Sequence, residues 1–543
     1  MRDMRGYRPL SVVMLAIVMS ALAGGFFGRS ALAVDDRIPE HYKTFTAALN
    51  AIEVNYVDKV ESENLVYGAV RGMLGTLDPH SSFFTPREYA QMRERQEGRY
   101  YGIGIQIVSA DGDITATRVF EGSPAARRGI RRGDVIARIL GEDAKGWTTE
   151  QAMQKLRGPK GTEVRIEIRR RGYEQLIPLQ LTRDEVFIPT VPASFMIDAS
   201  TGYIQLRDFG ESTDRDLKHA LHDLAAKGMR RLLLDIRDNP GGPLDQAIKV
   251  ANEFLPRNKM IVYTRGRVQN SDQDYRAQED SEFIDIPIVV MASRSSASAS
   301  EIVTGALQDH DRAYIVGETT FGKALVQSIY KVSGGAGLAL TTAHYFTPSG
   351  RLIQRPWDAT FDEYSSYVLK DQDVERPHSA SDLKRTDSGR PVYSGGGVEP
   401  DKRVVGPILG FSPGKFGRAL AARQEFETYA QQFTAEGDTR IAQPSTGRKI
   451  VKPNFTVDEA MLADFHEQLK ADRIKIDEAG FQADIEFVRA MIRFRIDEAV
   501  FGVAEAQRHL IAADPQAQVA LSMFGEAQKL TELSRGVGRS KAH

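Results

Sequence analysis

A run of hydroxyls, Arg294-Ser295-Ser296-Ala297-Ser298-Ala299-Ser300-Glu301, follows an apolar stretch and precedes a helical one. A strand-to-helix turn of this kind aims a hydroxyl out of a sheet edge. The helix N-terminus then points backbone N–H groups at the same spot, where they stabilise an oxyanion. A serine-rich helix cap accounts for the same residues equally simply. A serine nucleophile also needs a base. His310 and His344 lie nearby in sequence, but Asp309-His310-Asp311-Arg312 reads as a solvated helix end. The other base is Lys323, within Thr319-Thr320-Phe321-Gly322-Lys323-Ala324-Leu325-Val326-Gln327. Small and apolar neighbours bury an amine and lower its pKa. Moving lysine from ~10.4 to ~8 costs about 3 kcal/mol, which a packed domain tolerates. Gln327, four residues on, brings an amide able to orient that amine. An exposed surface lysine is the plain alternative.

Further stretches bear on the same chemistry. Asp235-Ile236-Arg237-Asp238-Asn239-Pro240-Gly241-Gly242 ends an apolar run, and adjacent glycines let backbone amides converge on one atom. A plain turn fits as well. Tyr101-Gly102-Ile103-Gly104-Ile105 opens a β-rich stretch. Glycine amides there can capture a carboxylate, and the strand edge can accept an extended peptide. Gly317 to Lys323 matches a phosphate-binding loop, but Ala324 stands where that loop needs Ser or Thr for magnesium. The loop should also open a helix, whereas Leu325–Val332 is rich in β-formers. No HExxH, paired-histidine spacing or calcium loop is found, so no cofactor or metal is expected.

The elements that must position these residues follow from periodicity. Residues 36–98 read as helical, with Phe45, Leu49, Ile52 and Tyr56 at the 3.6 spacing. Residues 99–182 read as a compact β module with short runs at Ile103–Val108, Ile114–Val119, Val135–Ile139 and Val164–Ile168, separated by glycine turns. Residues 183–360 alternate strands with helices, which argues for an α/β layer. Residues 361–404 form a polar excursion through Gly395-Gly396-Gly397 that rejoins a strand near Val398. Residues 405–543 are helical again, with Thr456-x-x-Glu459 as a capping box.

With 543 residues the chain exceeds one core. Lys+Arg 71 against Asp+Glu 73 leaves a net charge of −2, so no whole-protein attraction to nucleic acid is expected. The absence of cysteine excludes disulfides, thiolate metal sites and cysteine nucleophiles. Arg2, Arg5 and Arg8, an apolar run from Leu10 to Gly28, and Ala31-Leu32-Ala33 read as an export signal. Cleavage after Ala33 is expected, with retention as a membrane anchor the alternative. Both place the remainder outside the cytoplasm.

Taken in order, these motifs resemble the carboxyl-terminal processing peptidases, or tail-specific proteases. The resemblance spans about residues 40–360. It rests on Gly72-Met73-Leu74-Gly75-Thr76-Leu77-Asp78-Pro79-His80, the PDZ-like Gly122-Ser123-Pro124-Ala125 with Gly133-Asp134, the glycine turn at 235–242, Ser296 to Ile302, Gly317 to Gln327, and Tyr345 to Arg351. It implies a multidomain α+β chain: a signal peptide or anchor at 1–33, a helical segment at 36–98, a PDZ-like peptide-binding domain at 99–182, a serine protease core at 183–360, the excursion at 361–404 and a helical C-terminal extension at 405–543. It implies Ser298 as nucleophile, Lys323 as base, Gln327 as the supporting amide and Asp309 as a structural acid. Ala299 with Gly241 or Gly242 would form the oxyanion site, and Tyr101 to Ile105 the peptide site. Ile236 and Asp238 are mild departures from the family turn. The implied activity is a Ser–Lys endopeptidase of the bacterial periplasm or envelope acting on proteins with free C-terminal tails. The helical extension matches no part of the family core, and its role stays open among oligomer contact, adaptor docking and a lid. A non-catalytic peptide-binding scaffold and a nucleotide binder are the rival readings.

Overall fold

The structure is a computed structural model that describes residues 38–540, apart from 111, 171–172, 358–363, 365, 370–376 and 438–450. The export signal lies outside the described residues. Among those described, no helix is long and apolar enough to cross a membrane. The chain divides into two compact units, one ending at Phe83 and one beginning at Phe84.

In the first unit, helices Ile38–Asn55 and Ser62–Gly75 carry the expected periodicity. Tyr67 packs on Phe83 with ring centroids 4.8 Å apart. The Asp78 carboxylate accepts the amides of His80 and Ser81, which fixes the turn at Asp78-Pro79-His80.

The second unit begins with helix Pro86–Glu97, capped reciprocally by Thr85 and Glu88. A two-stranded stem follows, Arg99–Gly102 against Asp184–Phe187. Between the stem strands lies the small β module, whose sheet runs Ile105–Ala110, Asp113–Val119, Val135–Ile139, Glu163–Arg169, Ile177–Thr182. Inward residues alternate along Glu163–Arg169: Val164, Ile166 and Ile168 are buried with Ile107, Ile114, Ile136 and Ile139.

The larger layer is a six-stranded sheet in the order Ala193–Met196, Thr201–Gln205, Arg231–Asp235, Ile288–Ala292, Tyr314–Gly317, Lys402–Arg403. The first pair is antiparallel and the rest parallel. Parallel strands buried on both faces need apolar residues at every position, and Leu232, Leu233, Leu234, Val289, Val290 and Met291 supply them. The excursion therefore returns at Lys402–Arg403, beside Val316 and Gly317, and not at Val398.

One face packs under helices Thr213–Ala226, Leu244–Asn252 and Ala299–Asp309, through Leu234, Val290, Leu221, Val250 and Val303. The other face packs under the end of the chain. Ile511, Ala517, Ala520, Phe524 and Ala527 cover Tyr203, Leu233, Val289, Met291 and Val316. Helices Val503–Ala513, Pro515–Ser522 and Phe524–Ser540 thus form the sheet's second layer. The earlier helices of the 405–543 segment build their own core around Phe426, Phe465 and Phe487. There Asp458, not Thr456, caps helix Glu459–Ala471, because its carboxylate accepts the Met461 amide.

Phe524 is nearly buried and its ring carries the Arg231 guanidinium at 4.7 Å. Phe524→Ala is expected to destabilise this core by about 3–5 kcal/mol, because truncation leaves a cavity under the sheet. The shift in its urea midpoint measures this, and an unchanged midpoint would refute the second-layer packing.

Candidate active site

Strand Ile288–Ala292 runs into the serine turn, and helix Ala299–Asp309 begins immediately after Ser298. Ser298 has φ 55° and ψ −112°, a backbone conformation that costs a non-glycine residue about 1–3 kcal/mol. Such strain holds a hydroxyl proud of a sheet edge. The turn is held from below: Ser296 Oγ donates to the Ile236 carbonyl at 2.8 Å, and the Ala297 amide donates to the Asn239 carbonyl at 3.0 Å.

Lys323 stands at the entry of a hairpin, Leu325–Lys331 against Gly337–Phe346. The segment after it is therefore a strand, and the nucleotide-loop reading, which needs a helix there, has no structural basis. Lys323 is half-buried, and its Nζ donates to Gln327 Oε1 at 3.1 Å.

The serine turn and the lysine loop are joined by a residue that sequence reasoning gave no role. Glu301 is fully buried. Its Oε2 accepts the Ser298 amide at 2.8 Å and the Lys323 amide at 2.9 Å. Its Oε1 accepts the Gly322 amide at 2.7 Å and the Thr320 hydroxyl at 2.5 Å. One carboxylate thus fixes the backbone of both candidate reactive residues. Tyr345, also buried, acts on their carbonyls: its hydroxyl lies 2.6 Å from Lys323 O and 3.1 Å from Ser298 O. The spacing Ser298-x-x-Glu301 is a capping-box signature and was the available signal for Glu301. Tyr345 opens the motif Tyr345 to Arg351 but drew no role from it, because its partners are backbone atoms distant in sequence.

From the other side the lysine loop rests on the glycine run. The Thr320 hydroxyl accepts the Val398 amide at 2.7 Å. Gly397 has φ 103°, and a Cβ there would fall 2.2 Å from Thr320 O, so only glycine fits.

The glycine turn reaches Ser298 directly. Gly241 has φ 91°, and a Cβ on it would lie 2.5 Å from Ala297 O and 2.8 Å from Ser298 Cβ. Its amide is committed to Asn239 Oδ1 at 2.9 Å. The candidate oxyanion donors are thereby narrowed to the Gly242 amide and the first-turn amide of Ala299. Just upstream, Arg237 forks onto Asp235 at 2.9 and 2.7 Å, and Asp235 accepts Tyr203 Oη at 2.9 Å.

The other candidates are placed elsewhere. His310 is not solvated: it is buried, with its ring nitrogens 2.6 Å from the Met260 carbonyl and 2.9 Å from Asp387. His344 is exposed on the hairpin. Asp309 is buried against Arg351 at 2.5 Å and accepts the Ser349 amide at 2.9 Å, which ties the helix end to the turn after the hairpin. In the β module, Ile103, Gly104 and Ile105 line a cavity of about 560 Å³ between strand Ile105–Ala110 and helix Thr149–Leu156. Tyr101 and Gly102 belong to the stem instead. The groove's apolar walls are Ile103, Ile105, Ile107, Phe120, Met153 and Leu156, and Arg157, paired with Glu94, also lines it.

Burial pushes the Glu301 carboxyl up from its ordinary value, and its four donors pull the other way. All four donors suit the ionised, acceptor-only form.

Comparison with known proteins matches residues 200–359 to Peptidase family S41, residues 91–169 to the PDZ domain and residues 29–86 to the Activating protease CtpB N-terminal domain. The chain is 36% identical over 353 residues to a carboxy-terminal-processing protease of Bartonella bacilliformis, covering 63% of this chain and 81% of that one. It is 32% identical over 351 residues to the carboxy-terminal processing protease CtpA of Bacillus subtilis, covering 63% and 74%. Among solved structures, a photosystem II D1 C-terminal processing protease is 27% identical, covering 68% of this chain and 94% of that one, with a TM-score of 0.36.

Because the pKa of Glu301 is raised on folding, its protonation favours the folded state, and this group does not drive acid unfolding. Protonation nevertheless puts a donor against four donors. Turnover is expected to fall with decreasing pH before the near-UV circular dichroism changes. Glu301→Gln is expected to lower turnover about 100-fold at neutral pH, because its amide N–H₂ would face the donors that the carboxylate now accepts. Turnover by Glu301→Gln at the wild-type rate would refute the role of this carboxylate.

Proposed function

The chain belongs to the carboxyl-terminal processing peptidases of family S41, and from that premise we propose that Ser298 is its nucleophile and Lys323 its general base. It is a serine endopeptidase. The observation that carries the residue assignment is the shared carboxylate: the amides of Ser298 and Lys323 both end on Glu301 Oε2.

The geometry supports the following chemistry. The neutral Lys323 amine takes the proton of Ser298 Oγ as that oxygen attacks the scissile carbonyl. Gln327 Oε1 accepts one N–H of the amine and so directs its lone pair. The tetrahedral oxyanion meets the amides of Ala299 and Gly242, already oriented by a strained turn and a helix N-terminus. The lysine ammonium then protonates the leaving amine, and an acyl ester on Ser298 remains. Water, deprotonated by the same amine, attacks this ester and releases the new C-terminus with Ser298 restored. Every step uses groups of the chain and water.

The PDZ domain supplies selection. Its groove presents apolar walls and an open strand edge at Ile105–Ala110, which fits the extended tail of a substrate with an apolar last residue. Gly104 keeps φ 86° at the mouth, where a Cβ would overlap Ser123. We also assign the chain to the cell envelope, on the basic start, apolar run and Ala31-Leu32-Ala33 of its leader.

Ser298→Ala and Lys323→Arg are each expected to lower turnover by about 10⁴-fold or more, since arginine stays protonated and cannot act as base. Turnover by Lys323→Arg at the wild-type rate would overturn the base assignment. A protein ending in a free apolar residue should be degraded faster than its C-terminally amidated twin. Equal rates for the two would overturn tail selection while leaving the dyad intact.

A further inference from the structure

The Arg237 guanidinium turns one edge to Asp235 and the other to the end of the chain. Its Nη1 donates to Asp514 Oδ2 at 2.6 Å and to Gln516 Oε1 at 2.8 Å. All three charged groups are buried: Asp235 is 2% exposed, Arg237 7% and Asp514 0%. Asp514 is held rigidly on its own side. It caps helix Pro515–Ser522, and its Oδ1 accepts the amides of Gln516 and Ala517 at 2.8 and 3.0 Å. A second tie runs parallel to the first, with Gln507 Nε2 donating to Tyr203 Oη at 2.9 Å and Tyr203 donating on to Asp235. Arg237 lies four residues before Gly241, and the turn between them includes Asp238 at φ 54°. A strained turn keeps its shape only where its surroundings over-determine it.

We propose that Asp514 is a positioning residue for the oxyanion turn, acting through Arg237, so that the far C-terminal helices set the geometry of the catalytic amides. The inference rests on the reading of Gly242 as an oxyanion donor. It gives the 405–543 segment a part in the chemistry, and that part lies beyond residues 200–359, matched to Peptidase family S41. Asp514 touches neither substrate nor reacting atoms. It holds the guanidinium, the guanidinium holds the end of strand Arg231–Asp235, and the glycines follow from there.

The test uses the full chain. Asp514→Asn keeps an oxygen for the Gln516 and Ala517 amides, so the helix cap survives, but the charge facing Arg237 is lost. The kcat per folded chain is expected to fall about tenfold, a fraction of what losing an oxyanion donor outright costs. KM and the affinity for a tail peptide should stay unchanged. A merely structural role would lower the folded fraction and leave kcat per folded chain at the wild-type value, and that result overturns the proposal. If Asp514→Asn does not fold, Gln516→Ala removes the second acceptor of the same Nη1. It is expected to lower kcat about threefold, and an unchanged kcat overturns the proposal. Ser298→Ala separates the two levels of the argument. If it remains active, the nucleophile assignment fails. If it is inactive while Asp514→Asn turns over normally, only the present inference fails.

Discussion

A single buried carboxylate with four donors holds the serine turn to the lysine loop. Desolvating Glu301 costs several kcal/mol. Each hydrogen bond from a neutral donor to a charged acceptor returns about 1.5–3 kcal/mol, and the four partners are three backbone amides and one hydroxyl. The balance is favourable only while all four bonds are made together. The carboxylate therefore works as a geometric constraint: the two loops are either both in place or both released. Tyr345 repeats the device on the carbonyl side. The backbones of the two candidate reactive residues are thus held by side chains that are themselves buried.

That constraint presupposes a sheet that brings the loops to one edge. Strands Arg231–Asp235, Ile288–Ala292 and Tyr314–Gly317 lie side by side and parallel, so their C-terminal ends meet at one rim. The glycine turn, the serine turn and the lysine loop each leave from that rim. Ligands of open α/β sheets sit at such rims for the same topological reason. The small β module hangs on a two-stranded stem whose second strand leads back into this sheet, and ion pairs from Arg132 to Glu427 and Glu498 tie it to the helical segment.

Much of this was legible in the residues themselves. The alternation in Glu163–Arg169 and the continuous apolar runs of Leu232–Leu234 and Val289–Met291 state which strands are covered on one face and which on both. The strand–turn–helix around Ser298 and the pairing of Lys323 with Gln327 were readable too, although choosing among the serines required the family order of motifs. What escaped has a common physical cause. Glu301 was given no role, His310 looked like a solvated end and the 405–543 helices like an oligomer contact, adaptor dock or lid, because each takes its meaning from partners far away in sequence. Local pattern reports which face of a helix is apolar, and it is silent on which surface that face will meet. Asp458 displaced Thr456 as a cap because it stands two residues nearer the helix start, immediately before Glu459.

The placement of the sheet's second layer has a consequence for how the chain is made. Ribosomal synthesis runs from the N-terminus, so the hydroxyl, the amine and the glycine turn are all complete while the helices that shield Leu233, Val289 and Met291 have yet to emerge. Until they do, one side of the central sheet faces water and its strands gain little by pairing. A chain that stops short of these helices lacks the cover of one whole face of its central sheet. Folding of the layer that carries the serine turn is thereby coupled to helices synthesised well after it, since they share its hydrophobic core.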